Sequence, residues 1–124
     1  MTLSEAKDRV LAIGYAMMQA GVKPGDRVAL LSNNCIAWVL VDLATAMIGG
    51  ILVPIYPSLT DEQAAEIMVE SEPVLCFVED PNQAQKILNR PEGLNTVRRV
   101  ILFSTDVDGA EAVSYTHLTL PTKA

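Results

Sequence analysis

The sequence predicts an α/β fold: a parallel sheet with helices on both faces. Three observations predict it. Helical apolar stripes alternate with short strand-like runs along the chain. Those runs are apolar at successive positions, as strands buried on both faces are, where a sheet with one wet face would alternate. Proline and glycine turns separate the elements. Right-handed crossovers are the expectation for such a sheet.

The elements follow in order. Ser4 is the expected cap of the first helix, with Glu5 and Asp8 in its positive first turn. Val10, Leu11, Ile13, Gly14, Met17 and Met18 fall near a helical stripe, and Gly21 ends it. The turn Lys23-Pro24-Gly25-Asp26 leads into a buried strand, Arg27 to Leu31. Ser32-Asn33-Asn34 is the expected cap of a helix from Cys35 to Ile48. That helix is apolar nearly all round and is expected to be deeply packed. Gly49-Gly50 then permits a tight passage into a strand, Ile51 to Ile55. Pro54 lacks an N–H, so that strand should end there or lie at an edge.

Thr60-Asp61-Glu62-Gln63 has the spacing of a capping box. Ala64, Ala65, Ile67 and Met68 form the inner face of the helix it opens, and Pro73 closes it. Val74 to Val78 reads as a strand, Pro81 to Leu88 as a short helix, and Val100 to Phe103 as a fourth strand. No internal repeat or low-complexity linker interrupts the series.

The chain has 124 residues, half of them hydrophobic, enough for one domain with a packed core. Its net charge of −6, from 9 basic and 15 acidic residues, argues against binding nucleic acid or anionic lipid. Arg98-Arg99, the densest basic spot, reads as solvated charge beside a strand. Cys35 and Cys76 lie in apolar runs without CxxC spacing and read as two buried thiols in a reducing compartment. A zinc site would need further ligands at closer spacing.

No apolar run reaches the roughly 20 residues of a membrane-spanning helix. The longest, Leu40 to Ile55, is broken by Asp42, Gly49-Gly50 and Pro54. The first residues carry no basic segment followed by an apolar stretch, so a cytoplasmic protein is expected.

The stretch from Val113 to Thr122 has no relation to the pattern before it. It resembles a frame translation of the transposase adapter used to prepare sequencing libraries, whose codons GTC TCT TAT ACA CAT CTG ACG CTG CCG ACG spell it in order. The expected division is therefore 1–112, native, and 113–124, a non-native tail. His117, the one histidine and the one ready neutral-pH base, falls in that tail.

The run from Ala20 to Asn34, reading AGVKPGDRVALLSNN, resembles the opening of adenylate-forming enzymes. Trp38, Asp42-Leu43-Ala44 and the stretch from Gly49 to Thr60 continue the resemblance in order. That last stretch is similar to the second core motif of the AMP-forming acyl-CoA synthetase superfamily. Its ending, Tyr56-Pro57-Ser58-Leu59-Thr60, followed by Glu62-Gln63 and Ser71-Glu72, most resembles long-chain fatty acid–CoA ligases. Related aryl and medium-chain enzymes more often place Asn-Pro there. The resemblance spans Leu3 to Phe103.

The resemblance implies an incomplete N-terminal subdomain of the synthetase fold. The implied parent reaction joins ATP, a fatty acid and CoA through an acyl-adenylate, releasing AMP and pyrophosphate. ATP, Mg²⁺ and coenzyme A are its cofactors. Such enzymes carry a Ser/Thr/Gly-rich loop ending in Pro-Lys-Gly, whose backbone N–H groups and lysine hold the polyphosphate. Nothing in this sequence has that composition, and the family's ribose-binding acid, Mg²⁺-binding glutamate and C-terminal lysine have no counterpart either.

No catalytic, cofactor-binding or metal-binding residue is therefore assigned, and the chain alone is expected to be inactive. Trp38 reads as core, Tyr56 as a rigid loop residue and Asp42 as a solvated or capped carboxylate. An unfinished core should leave a face or edge open to self-association. Peripheral membrane contact of the parent stays open. Two other readings also stay open: a standalone α/β binding module, and an amino-acid-activating or luciferase-like enzyme of the same superfamily. No GxGxxG or GxxxxGK[ST] supports independent nucleotide binding.

Overall fold

The computed structural model describes residues 1–105 and 111–118, with side-chain surroundings described for residues 1–103. The order of elements is α1 (Leu3–Gln19), β1 (Arg27–Leu31), α2 (Ile36–Met47), β2 (Ile51–Ile55), α3 (Asp61–Ser71), β3 (Leu75–Val78), α4 (Pro81–Leu88), a 3₁₀ turn (Pro91–Leu94), β4 (Arg99–Thr105) and β5 (Glu111–Leu118). One sheet runs in the order β2-β1-β3-β4-β5. Its first four strands are parallel.

Alternation of side chains across the strands splits the core into two layers. Ala29, Leu31, Cys76, Val78 and Val100 pack under α3 and α4. Val28, Leu30, Leu75, Phe77 and Ile101 pack under α1 and α2. Helices on both faces explain why the central strands are apolar at successive positions. Residues Val28 to Leu31 and Leu75 to Val78 are all buried.

The edge strand behaves differently. Ile51 is 52% exposed and Pro54 is also exposed, so β2 is not the fully buried strand its composition suggests. Pro54 sits opposite Leu30 on the outermost strand, where its missing N–H interrupts no second ladder.

The helix starts correct two expectations. Thr2, not Ser4, caps α1: its Oγ1 accepts from the Glu5 N–H at 3.1 Å. Cys35, not Ser32-Asn33-Asn34, occupies the cap of α2, without a side-chain capping bond. Ser32 instead donates to the Asn33 carbonyl at 2.7 Å. The capping box at Thr60 forms as expected: Thr60 Oγ1 accepts from the Gln63 N–H at 3.1 Å, and Gln63 Oε1 accepts from the Thr60 N–H at 3.0 Å. Asp80 caps α4 by accepting from the Gln83 N–H, and Pro81 takes the first helical position, where no N–H is needed.

Three burial expectations also change. Only one side of α2 is covered, by Ala37, Leu40, Val41, Ala44 and Thr45, while Ile36, Val39, Leu43 and Met47 stay about half exposed. Leu11 and Met18 likewise face outward from α1. Cys35 is half-buried, so only Cys76 is a core thiol. Trp38 is half-buried and packs against the α1–α2 core. Arg98 is exposed, but its guanidinium donates to the Ala20 and Gly21 carbonyls at the end of α1. This ties the chain just before β4 to the first turn of the fold.

β5 pairs antiparallel with β4, at the opposite edge from β2, with Phe103 opposite Val113 and an irregularity between Ile101 and Phe103. Residues 113–118 of the expected tail lie in this strand, and residues 119–124 lie outside the described residues. Ladder hydrogen bonds are made by the main chain and accept many sequences, so the pairing does not bear on the origin of the tail.

Candidate functional site

Ligands of open α/β sheets bind at the carboxyl ends of the strands, where the strand order reverses. Here the chain passes from β1 outward to β2, then returns across β1 to β3, so the reversal lies between β1 and β3. Two loops meet there. Ser32 to Cys35 follows β1 into α2, and Glu79-Asp80 follows β3 into α4.

Asn33 and Glu79 bridge the crevice. Glu79 Oε1 accepts from the Asn33 backbone N–H at 2.9 Å and from Asn33 Nδ2 at 3.1 Å, and Oε2 accepts from Nδ2 at 3.3 Å. The Glu79 N–H donates to the Leu31 carbonyl at 3.0 Å, which continues the β1–β3 ladder to the rim. Ser32 is buried beneath the bridge, with its hydroxyl 3.7 Å from Cys35 Sγ.

The loop after β2 forms the neighbouring wall. It carries Tyr56-Pro57-Ser58-Leu59, and Lys86 of α4 holds it from below. Lys86 Nζ donates to the Pro57 carbonyl at 2.6 Å and the Leu59 carbonyl at 2.9 Å. The loop is thus pinned by a charged donor on its backbone, and Tyr56 projects from it, 61% exposed. This agrees with the reading of Tyr56 as a rigid loop residue and leaves its ring available at the rim.

Among the described residues no cluster of three or more His, Cys, Asp or Glu side chains could hold a metal ion. The core thiol of Cys76 is pushed up to about 12 by burial and stays protonated at neutral pH. The Asn33–Glu79 bridge and the Lys86 clamp were not legible as site features in the sequence. Their partners stand 46, 29 and 27 residues apart, and single polar residues at such distances carry no local signal.

A doubly wound parallel sheet with its crevice at such a reversal defines a class of α/β proteins that bind ligands at the strand ends. The family model of the AMP-binding enzyme matches residues 1–121, and the chain belongs to that family. Its sequence is 29% identical over 101 residues to long-chain-fatty-acid–CoA ligase FadD15 of Mycobacterium bovis, covering 82% of this chain and 17% of that protein. It is 35% identical over 79 residues to long chain acyl-CoA synthetase 1 of Arabidopsis thaliana, covering 64% of this chain and 12% of the relative.

The fold matches a putative long-chain-fatty-acid CoA ligase from Rhodopseudomonas palustris at a TM-score of 0.78, with 23% identity, over 99% of this chain and 32% of that one. It matches the anthranilate CoA ligase AuaEII, solved with anthranoyl-AMP, at 0.78, with 20% identity, over 82% of this chain and 20% of that one. The chain therefore spans about a sixth of the length of the FadD15 relative (17%). Among the described residues, no helix is long and apolar enough to cross a membrane.

Proposed function

We propose that this chain is the opening region of a long-chain fatty acid–CoA ligase, with native sequence to about residue 112 and an adapter-derived tail over 113–124. The parent would convert ATP, a fatty acid and CoA to acyl-CoA, AMP and pyrophosphate through an acyl-adenylate. The observation that carries the reading is the similarity to FadD15 across 101 residues, together with the Tyr56-Pro57-Ser58-Leu59-Thr60 ending of the second core motif.

The role proposed for this region is structural support of the parent's site. The β1–β3 crevice and the pinned loop after β2 form a wall against which later segments place the reacting groups. ATP, Mg²⁺ and coenzyme A belong to the parent. The described residues do not fit a polyphosphate: the rim carries Glu79 and Asp80 where a phosphate cradle needs clustered N–H groups and a free lysine, and Lys86 is already spent on two carbonyls. No chemical step is assigned to this chain, and we expect it to be inactive alone. The parent's place is the cytoplasm.

A second adenylating chemistry has support of its own. The hybrid PKS-NRPS synthetase mycA of Thermothelomyces thermophilus is 35% identical over 80 residues, covering 64% of this chain and 2% of that protein. The test is pyrophosphate release by the protein extended past residue 112, with a long-chain fatty acid or an amino acid as substrate. Release with the fatty acid and CoA supports the ligase. Release with amino acids alone gives the second reading, and no release with either leaves a binding module.

A further inference from the structure

The sheet holds the loop after β2 weakly. β2 is an edge strand paired with β1 alone, and Ile55 is its last buried residue. Within the loop, the Leu59 N–H donates to the Tyr56 carbonyl at 3.0 Å and closes a turn. Pro57 has no N–H to offer. Leu59 packs, partly buried, against the α3–α4 core. Polar support from outside comes from Lys86, through the Pro57 and Leu59 carbonyls.

Lys86 belongs to a row. Lys86, Asn89 and Arg90 stand at i, i+3 and i+4 on α4 and just past its end. Asn89 Nδ2 donates to Asp61 Oδ2 at 3.3 Å, and Arg90 pairs with Glu62 at 2.9 Å. The row fastens both the loop and the first turn of α3 to α4. Its members differ in strength. The Arg90 and Glu62 side chains are 40% and 72% exposed, and solvent screens their pair. Lys86 is half-buried, and its ammonium makes two charge-assisted hydrogen bonds. The residue this fixes is Tyr56. Its carbonyl closes the turn that Lys86 grips, so the grip sets where the exposed ring projects at the rim.

We propose that Lys86 is a positioning residue of the parent ligase: by holding the turn from Tyr56 to Leu59, it places the Tyr56 ring against the fatty acid. The role rests on the ligase reading. Of the parent's three substrates, ATP and CoA carry phosphates, which the rim acids Glu79 and Asp80 repel. The fatty acid offers an apolar chain, which packs on an aromatic ring.

Two measurements test this, one on the chain and one on the protein extended past residue 112. Amide hydrogen exchange of the full chain reads the turn. Lys86→Met keeps an apolar stem and removes the charge. It is expected to speed exchange at Leu59 by about tenfold and to leave Leu30 and Phe77 of the core strands unchanged. Lys86→Arg, which can donate to both carbonyls, should restore protection, and Arg90→Ala should leave Leu59 as it was. Pyrophosphate release by the extended protein reads the positioning. Lys86→Met is expected to raise KM for the fatty acid roughly fivefold at an unchanged kcat, because a wall touches the substrate equally before and during reaction. Lys86→Arg should return KM to its starting value. Exchange at Leu59 that Lys86→Met leaves unchanged overturns the hold on the turn. Faster exchange with KM unchanged, or a fall in kcat alone, overturns the positioning role and leaves a stabilising contact. Absence of release from every form overturns the ligase reading and the positioning role with it, while the exchange rates decide the hold on their own.

Discussion

Gly25 and Gly49 form a pair of probes for the joint that brings β1 and β2 together. Both have positive φ, 88° and 80°, and the Gly25 N–H donates to the Gly49 carbonyl at 2.9 Å. A side chain at either position forces a left-handed residue, at a cost of about 1–2 kcal/mol, offset by about 0.4–1 kcal/mol from the lower entropy of the unfolded chain. The surroundings then separate them. A Cβ at Gly25 meets nothing within 4 Å, whereas one at Gly49 lies 3.3 Å from Pro24 Cβ and 3.6 Å from Pro24 Cα. Pro24 is rigid and must move as a ring.

Gly25→Ala should therefore cost about 1 kcal/mol or less, and Gly49→Ala about 2 kcal/mol, the difference reporting the close approach to Pro24. Urea unfolding of both variants, followed by circular dichroism, reads it as two midpoints at an unchanged slope. Equal midpoints, or a larger loss at Gly25, would refute the packing argument and leave backbone conformation as the whole effect.

Three further outcomes follow from the core and the caps. Phe77 is buried on a central strand with its ring 6.2 Å from that of Phe103, so Phe77→Ala should cost about 3–5 kcal/mol in urea unfolding. Thr60→Ala removes an exposed capping box and should cost about 1 kcal/mol by the same assay, with Thr60→Ser restoring most of it. Cys76 should resist a thiol reagent at pH 8 until the chain unfolds, because burial pushes its thiol from 9.0 to about 12. The folded state holds this proton more tightly than the unfolded one. The Cys76 contribution is thus whole below pH 9.0 and falls as pH rises from there toward 12, by about 1 kcal/mol per unit. Cys76→Ala should remove that part of the alkaline slope.

The first three strands were legible because each depends on local features, whereas β5 was not expected as a strand. Apolar runs bounded by Lys23-Pro24-Gly25-Asp26, Gly49-Gly50 and Pro73 located β1, β2 and β3 within a residue. The capping box at Thr60 and the Asp80-Pro81 start of α4 are equally local. Thr2 was missed although Thr2-x-x-Glu5 has the same spacing as the box at Thr60. Ser32 was misread because its hydroxyl has a nearer acceptor than the helix.

The outward rows of α2 were not legible for a different reason. Val39 and Leu43 have the same apolar character as Leu40 and Val41, so composition shows that the helix is apolar but not which side the sheet covers. Thr45 inverts the rule: it is buried because its hydroxyl donates to the Val41 carbonyl at 2.7 Å. The candidate site was least legible, since the Asn33–Glu79 bridge exists only once β1 and β3 lie side by side.

The most direct test of the central proposal is an independent reading of the source DNA past codon 111. The account predicts that the tail from Val113 vanishes and that the frame continues into a Ser/Thr/Gly-rich loop ending in Pro-Lys-Gly. The same tail followed by a stop codon would contradict it. The chain would then be a short protein of the AMP-binding family without a phosphate loop, and the ligase assignment would lose its support.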